Sequence, residues 1–280
     1  MTRIVGLGLR RGWIELRQTM SSATDLFGYF LPALFLVIAL IWMRDDTIPG
    51  TTLALGAQAL VGSMALLIVI SGFMTMMQYL TMDREDGTLL RAKATPHGMT
   101  GYLVGKIVLV AGVAVVSCLF VLVPGLFLVE GLSLDAGGAL TLLWLLPLAF
   151  LATMPLGAVL GALFESPRQA SLMMLPIIGL TVISGVFYPI TALAGWLQGV
   201  AQVFPVYWLG LGLRSAFLPD SLVVAELGGS WRPLATFGVL AAWSVLGLVL
   251  APGILRRMAR RESGSAVAAR RERAMTRMTV

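Results

Sequence analysis

Asp83-Arg84-Glu85-Asp86-Gly87-Thr88-Leu89-Leu90-Arg91-Ala92-Lys93-Ala94-Thr95-Pro96 is a dense charged island between two long apolar runs. Acids lead and bases come after. That order suits a short helix, whose amide end attracts negative charge and whose carbonyl end attracts positive charge. Gly87 permits a tight turn out of the preceding run, and Pro96 stops the short helix. Thr88, Leu89 and Leu90 predict a small helix with an exposed apolar ridge, suited to docking a soluble partner at a membrane surface. The alternative is a plain solvated loop, and the rest of the chain decides between the two.

The 280 residues are 58% hydrophobic and 12% charged, with a mean hydropathy of +0.90. Soluble domains carry about 25% charged residues, so a soluble fold cannot hide this much apolar surface. The uncharged runs read as membrane spans. A single cysteine, Cys118, excludes an intramolecular disulfide and a cysteine metal cluster. Within its apolar run it reads as a small buried residue. The start of the chain shows no compact apolar core followed by a small-residue cleavage site, so the first apolar run is expected to remain as a span.

Outward from the island, the sequence predicts an all-α integral membrane protein with six spans. These are placed at about 27–43, 53–82, 102–129, 139–164, 169–188 and 234–255. Residues 1–25 form a cytoplasmic interfacial helix, 26–255 the transmembrane domain and 256–280 a basic cytoplasmic tail. In the first segment Leu9, Trp13, Leu16 and Met20 recur at helical spacing, with Arg10, Arg11, Arg17 and Gln18 opposite. Such a helix lies in the headgroup layer. Asp25 is placed as the cap of the next helix. The two spans flanking the island exceed the roughly 30 Å hydrocarbon core, so they tilt or project and carry the island clear of lipid. Pro176 is expected to bend the fifth span.

Residues 189–233 are apolar but broken by Pro189, Gly195, Gly199, Pro205, Gly210, Gly212 and Pro219. They predict short helices dipping into the outer leaflet, with Trp196, Tyr207, Trp208 and Trp231 as an interfacial aromatic belt. With the N-terminus inside, seventeen of the twenty Lys and Arg fall on the cytoplasmic side, so both termini are placed there. That skew accounts for the net charge of +6 without a nucleic-acid partner.

The assigned span interiors contain no charge. Lys106 sits at a span end, where it can snorkel. Proton- or ion-coupled carriers need buried charges, a channel needs a selectivity lining, and an intramembrane enzyme needs an acid, base or metal set. None is read here. His97, the only histidine, reads as a surface residue. Gly101-Tyr102-Leu103-Val104-Gly105-Lys106-Ile107 imitates a phosphate loop, but its glycines are one residue too close and Ile107 replaces the required Ser or Thr. Gly101/Gly105 and Gly157/Gly161 have small-xxx-small spacing and give weak support to contacts between copies.

Three features resemble the membrane subunit of ABC type 2 exporters, the daunorubicin- or antibiotic-resistance-like permeases in particular. The loop after span two has Glu85, Gly87, Thr88, Leu89 and, further on, Pro96, like that family's first coupling helix. After span five come Ser184-Gly185-Val186-Phe187-Tyr188-Pro189, then Trp196-Leu197, Phe204-Pro205 and Arg214, like its short outer-leaflet helices. An amphipathic N-terminal helix before six spans also fits.

The resemblance implies a non-catalytic permease in a bacterial plasma membrane, paired with a second copy and resting on ATPase subunits. No cofactor binds the chain itself; ATP and Mg belong to the partner. It places Glu85, Asp86, Gly87, Thr88, Leu89, Leu90 and Arg91 in the ATPase-coupling helix, with Leu89 and Leu90 filling an apolar groove on the ATPase. Glu165 and Arg168 would make a second cytoplasmic contact. Arg214 reads as a snorkelling charge at the outer interface. The cargo is a hydrophobic or amphipathic drug or lipid. The alternatives are a polysaccharide- or lipid-exporting permease, an ATP-independent carrier or channel, and a membrane scaffold or immunity-type protein.

Overall fold

The computed structural model describes residues 2–47, 55–95, 97–132 and 134–261, and these are helical with no extended sheet. Pro96, residues 48–54 with the expected start of span two, and the tail beyond Arg261 lie outside them. In chain order, α1 (Thr2–Ser21) and α2 (Ala23–Met43) are followed by a continuous helical run, Leu55–Glu85. That run divides into α3 (Leu55–Val69), a π-helical turn (Ile70–Thr75) and α4 (Met76–Glu85). Then come α5 (Thr88–Lys93), α6 (Gly98–Leu128), α7 (Ala136–Gly161), α8 (Pro167–Ala170), α9 (Met174–Ile183), α10 (Gly195–Val203), α11 (Pro205–Phe217) and α12 (Pro233–Arg261).

Five of these helical runs, α2, Leu55–Glu85, α6, α7 and α12, are long and apolar enough to cross a membrane. The expected fifth span is a shorter apolar helix, Pro167–Ile183. At about 1.5 Å per residue it reaches about 25 Å. It is interrupted by a 3₁₀ turn at Ser171–Met173, one turn before Pro176, whose missing N–H cannot bond the Leu172 carbonyl. The helix stops at Ile183 because Gly185 takes a left-handed conformation, φ +61°. The cap of α2 is Ser22, not Asp25: Ser22 Oγ accepts the Asp25 N–H at 3.3 Å. Asp25 sits in the first turn, where its charge favours the positive helix end.

The N-terminal helix is packed on the rest of the protein. It runs alongside α6, burying Gly8, Gly12, Leu16 and Thr19, while Leu9 and Trp13 (57% exposed) face outward and Met20 is half-buried. The cause is backbone proximity. A Cβ on Gly12 would sit 2.4 Å from the Gly105 carbonyl oxygen, and one on Gly8 would sit 2.8 Å from that of Gly101. Small residues permit such an approach. Gly101 and Gly105 therefore serve an intramolecular contact rather than one between copies. The same holds for Gly157, whose Cβ would lie 2.2 Å from the Gly72 carbonyl oxygen in the π-helical turn, and for Gly161 against Met77.

α11 also departs from expectation. It is a core element, buried along nearly its whole length among α3, α7 and α12. Tyr207 (0% exposed) and Trp208 are thus interior residues, not part of an interfacial belt. Trp196 is largely exposed, and Trp231 donates to Asp220 at 2.9 Å.

Candidate coupling face and buried ion pairs

The charged island folds into a tight corner. Asp86 ends α4, Gly87 turns the chain with φ +78°, and Asp86 Oδ1 accepts the Thr88 N–H at 2.7 Å to start α5. This is an Asx-type turn, the local bond that short acidic side chains make well. Arg91 Nη2 donates to Thr88 Oγ1 at 3.0 Å across one turn. The exposed ridge expected on α5 is only partly there. Leu89 is 1% exposed and packs with Ala92 into the protein's own core, while Leu90 is half-buried. With α4, α6 and α12 all against a six-residue helix, one side of it must face inward, and Leu89 is the residue on that side. Asp86, Arg91 and Lys93 face outward and Glu85 is half-exposed.

The Glu165–Arg168 turn lies beside the charged island. Arg84 Nη1 donates to the Phe164 carbonyl at 2.7 Å, joining the end of α4 to the turn that carries Glu165 and Arg168, both exposed. Ser166 caps α8 by accepting the Gln169 N–H at 3.4 Å, and Pro167 occupies its first turn.

Beneath this face lies a charge network that the sequence reading missed. Lys106 is buried, not snorkelling: its Nζ lies 2.9 Å from Asp83 Oδ2 and 3.0 Å from Glu15 Oε2. It also sits 4.7 Å from the centre of the Tyr79 ring, a favourable cation–π distance. Tyr102 OH donates to Asp83 at 2.8 Å, Arg11 pairs with Glu15 at 2.7 Å, and Tyr29 bonds Tyr79. Asp83 is therefore not part of the exposed island. Burial works to raise the Glu15 carboxyl, but Lys106 and Arg11 prevail and hold it below its ordinary value. The network ties α1, α2, α4 and α6 together. The sequence offered only a partial signal: Glu15 lies four residues after Arg11, and nothing there relates Lys106 to Glu15 or Asp83.

At the opposite end, the broken segment is held by a second buried pair. Arg214 Nε lies 2.5 Å from Glu226 Oε1 and Nη2 lies 3.2 Å from Oε2. Nη1 donates to the Gly185 carbonyl at 3.1 Å, and Gln58 donates to the next carbonyl, Val186, at 3.2 Å. These carbonyls lie past the end of α9 and have no helical partner. Arg214 is thus an interior brace, not a snorkelling charge. It is 2% exposed, and Glu226, which the sequence reading passed over, is its partner. Ser184 donates to the Leu180 carbonyl at 2.6 Å. A Cβ on Gly185 would lie 2.8 Å from Ile190 Cβ, so both its φ and its surroundings require glycine. Phe187 lies against Gly62, and Pro189 and Pro205 start the 3₁₀ turn Ile190–Ala192 and α11.

Among the described residues no three His, Cys, Asp or Glu side chains converge as a metal site. The charged clusters are internally matched pairs, suited to holding helices rather than to reacting. Comparison with curated proteins gives no match. The model of the family described as ABC-2 family transporter protein matches residues 14–251, which take in all five long apolar helices in whole or large part, the island and the brace. This multi-pass membrane chain belongs to the ABC-2 transporter family.

Proposed function

We propose that the chain is the permease subunit of an ATP-driven exporter. It works as a pair with a second copy and rests on separate ATPase subunits. Its cargo is a hydrophobic or amphipathic drug or lipid, in the manner of the daunorubicin-like permeases. ATP and Mg sit on the partner. Both termini face the cytoplasm of a bacterial cell, Pro167–Ile183 serves as the fifth of six spans, and α10 and α11 re-enter from the outer side.

The observation that supports this best is α5. It stands between two helical runs of 31 residues each, which extend about 46 Å at 1.5 Å per residue against a core of about 30 Å. The excess length carries a small, rigidly seated helix beyond the hydrocarbon core. Glu85, Asp86, Thr88, Leu90 and Arg91, with Glu165 and Arg168 beside them, form the docking face, and charge sets the register. Leu89 supports that face from beneath.

Buried charge was the feature whose absence spoke against an ion-coupled carrier, and the chain does bury charge. Each buried group is nevertheless matched: Lys106 by Asp83 and Glu15, Arg214 by Glu226. Both clusters are closed on themselves and join helices to one another, which keeps the ATP-driven reading ahead. The test is reconstitution. The chain reconstituted with a partner ATPase that co-purifies with it should move a lipophilic drug only with hydrolysable ATP. Transport by the chain alone would overturn the proposal.

A further inference from the structure

At the level of α5, a cleft of about 180 Å³ separates the α5–α6 link from the end of α12. Lys93, His97, Arg256 and Arg260 line it together with Thr95, Gly98, Met99 and Ala259, and none of these is acidic. Arg256 and Arg260 are spaced i, i+4, a like-charge arrangement that costs stability on a helix unless an anion lies between or beside the two. Lys93 approaches from another part of the chain and adds positive charge to the same opening. Cations gathered from separate elements around one cleft are the arrangement that receives a phosphate.

The position of the cleft favours a lipid as the source of that phosphate. From Pro233 to Arg256 the helix climbs about 35 Å at 1.5 Å per residue, slightly more than a hydrocarbon core of about 30 Å. Arg256 therefore stands at headgroup depth. Val245, Val249, Arg256 and Arg260 fall on one face of α12 by helical period. Val245 and Val249 are exposed apolar residues, and nothing approaches Gly253 between them and the arginines. An open apolar track thus leads straight into the cationic cleft, matching a tail-and-headgroup molecule and having no use for a free anion.

We propose that this cleft binds the phosphate of an anionic phospholipid, whose acyl chains lie along the Val245–Val249 face. The bound lipid bridges the end of α12 to the base of α5. The site depends only on the chain being a membrane protein, not on ATPase docking, so the two proposals fail separately.

The experiment uses the purified full chain in neutral detergent, with phosphatidylglycerol, phosphatidylcholine and inorganic phosphate as probes. Native mass spectrometry counts retained lipid, and thermal melting reports stabilisation. Phosphatidylglycerol should be retained and raise the melting temperature, while phosphatidylcholine and inorganic phosphate should not. The double variant R256Q/R260Q should lose about thirtyfold in phosphatidylglycerol affinity, at about fivefold per arginine, and R256K/R260K should keep most of it. Equal retention of both lipids by the unmodified chain overturns the proposal whether or not the glutamine variant folds. Stabilisation by inorganic phosphate alone overturns the lipid assignment. Loss of ATPase binding in R256Q/R260Q with unchanged lipid retention assigns the cleft to a protein partner instead and likewise overturns it.

Discussion

Lys106 Nζ lies 3.0 Å from the Glu15 carboxylate, so the N-terminal helix is ion-paired to a membrane-crossing helix ninety-one positions further along the chain. Asp83 approaches the same ammonium from the end of α4 at 2.9 Å. One buried cation therefore organises three helices around the base of α5. Lys106→Met should leave Asp83 buried without its counter-charge, at a cost of about 3–5 kcal/mol. The check is thermal unfolding of the purified chain, followed by the detergent-resistant oligomer or monomer band. A fall of under about 1 kcal/mol would mean that water or another cation replaces Lys106.

The same pair predicts an acid limb. Lys106 and Arg11 hold the folded Glu15 carboxyl below its ordinary value of 4.5, against the opposing effect of burial. A carboxylate with a lowered folded value binds protons more readily when unfolded. Its stabilisation is complete above about that ordinary value and is lost as pH falls through the lowered one. Melting temperature should drop on acidification below pH 4.5 in the native chain. Glu15→Gln should start lower at neutral pH and show a shallower acid slope. Identical slopes in the two proteins would show that Glu15 does not carry the effect.

Gly12 offers a test of how α1 is seated. With the Gly105 carbonyl oxygen 2.4 Å from where a Cβ would stand, Gly12→Val should force the helices apart. Overpacking of this kind costs about 1–3 kcal/mol, and here the obstacle is backbone that cannot rotate away. Gly6, which has open space around it, provides the control: Gly6→Ala should be neutral or slightly stabilising, because alanine favours helix. Cysteine pairs across α1 and α6 would read the separation directly. Unchanged crosslinking in Gly12→Val would refute the close approach.

The Arg214–Glu226 brace calls for a double-mutant cycle. Arg214→Met and Glu226→Gln should each destabilise by about 3–5 kcal/mol, since each strands a buried partner, and the double variant should cost less than their sum. Arg214 also holds the Gly185 carbonyl at 3.1 Å, so Arg214→Met should be the worse of the two. Additive losses would mean that the two side chains act independently.

The long helices were legible because hydropathy over twenty or more residues is a sum that no single neighbour overturns. The break was placed at Pro189, whereas the helix already ends at Ile183, because a single glycine, Gly185, inside an apolar run does not announce its left-handed turn. What the sequence concealed was pairing over distance. Lys106 looked like a snorkelling charge because its position near the start of α6 says nothing of Glu15 and Asp83. Arg214 looked interfacial because Glu226 reaches it only once the 3₁₀ turn Asp220–Ala225 has brought the chain back. Gly101 and Gly105 announced a close helix contact correctly but could not name the other helix, which is α1. Leu89 and Leu90 are adjacent and chemically alike, and only the packing of α5 decides which one turns inward.

That last distinction separates docking from folding. Leu89 is buried in the core and Arg91 is exposed on the same short helix. Leu89→Asp places an unpaired carboxylate in an apolar site and should cost the chain itself on the order of 3–5 kcal/mol, with or without an ATPase present. Arg91→Glu reverses a surface charge whose side chain bonds Thr88 at 3.0 Å, one turn back on its own helix, so its melting temperature should move little. If α5 docks the proposed ATPase, Arg91→Glu should slow ATPase binding and weaken the ATPase stimulation by the chain, the signature of a charge that guides encounter. Raising the salt should narrow the gap between the native chain and Arg91→Glu, because the steering is screened. If Arg91→Glu stimulates the ATPase normally at low salt, the outward side of α5 is not the docking face. If Leu89→Asp folds as stably as the native chain, Leu89 is not held inside, and the exposed-ridge reading of α5 returns.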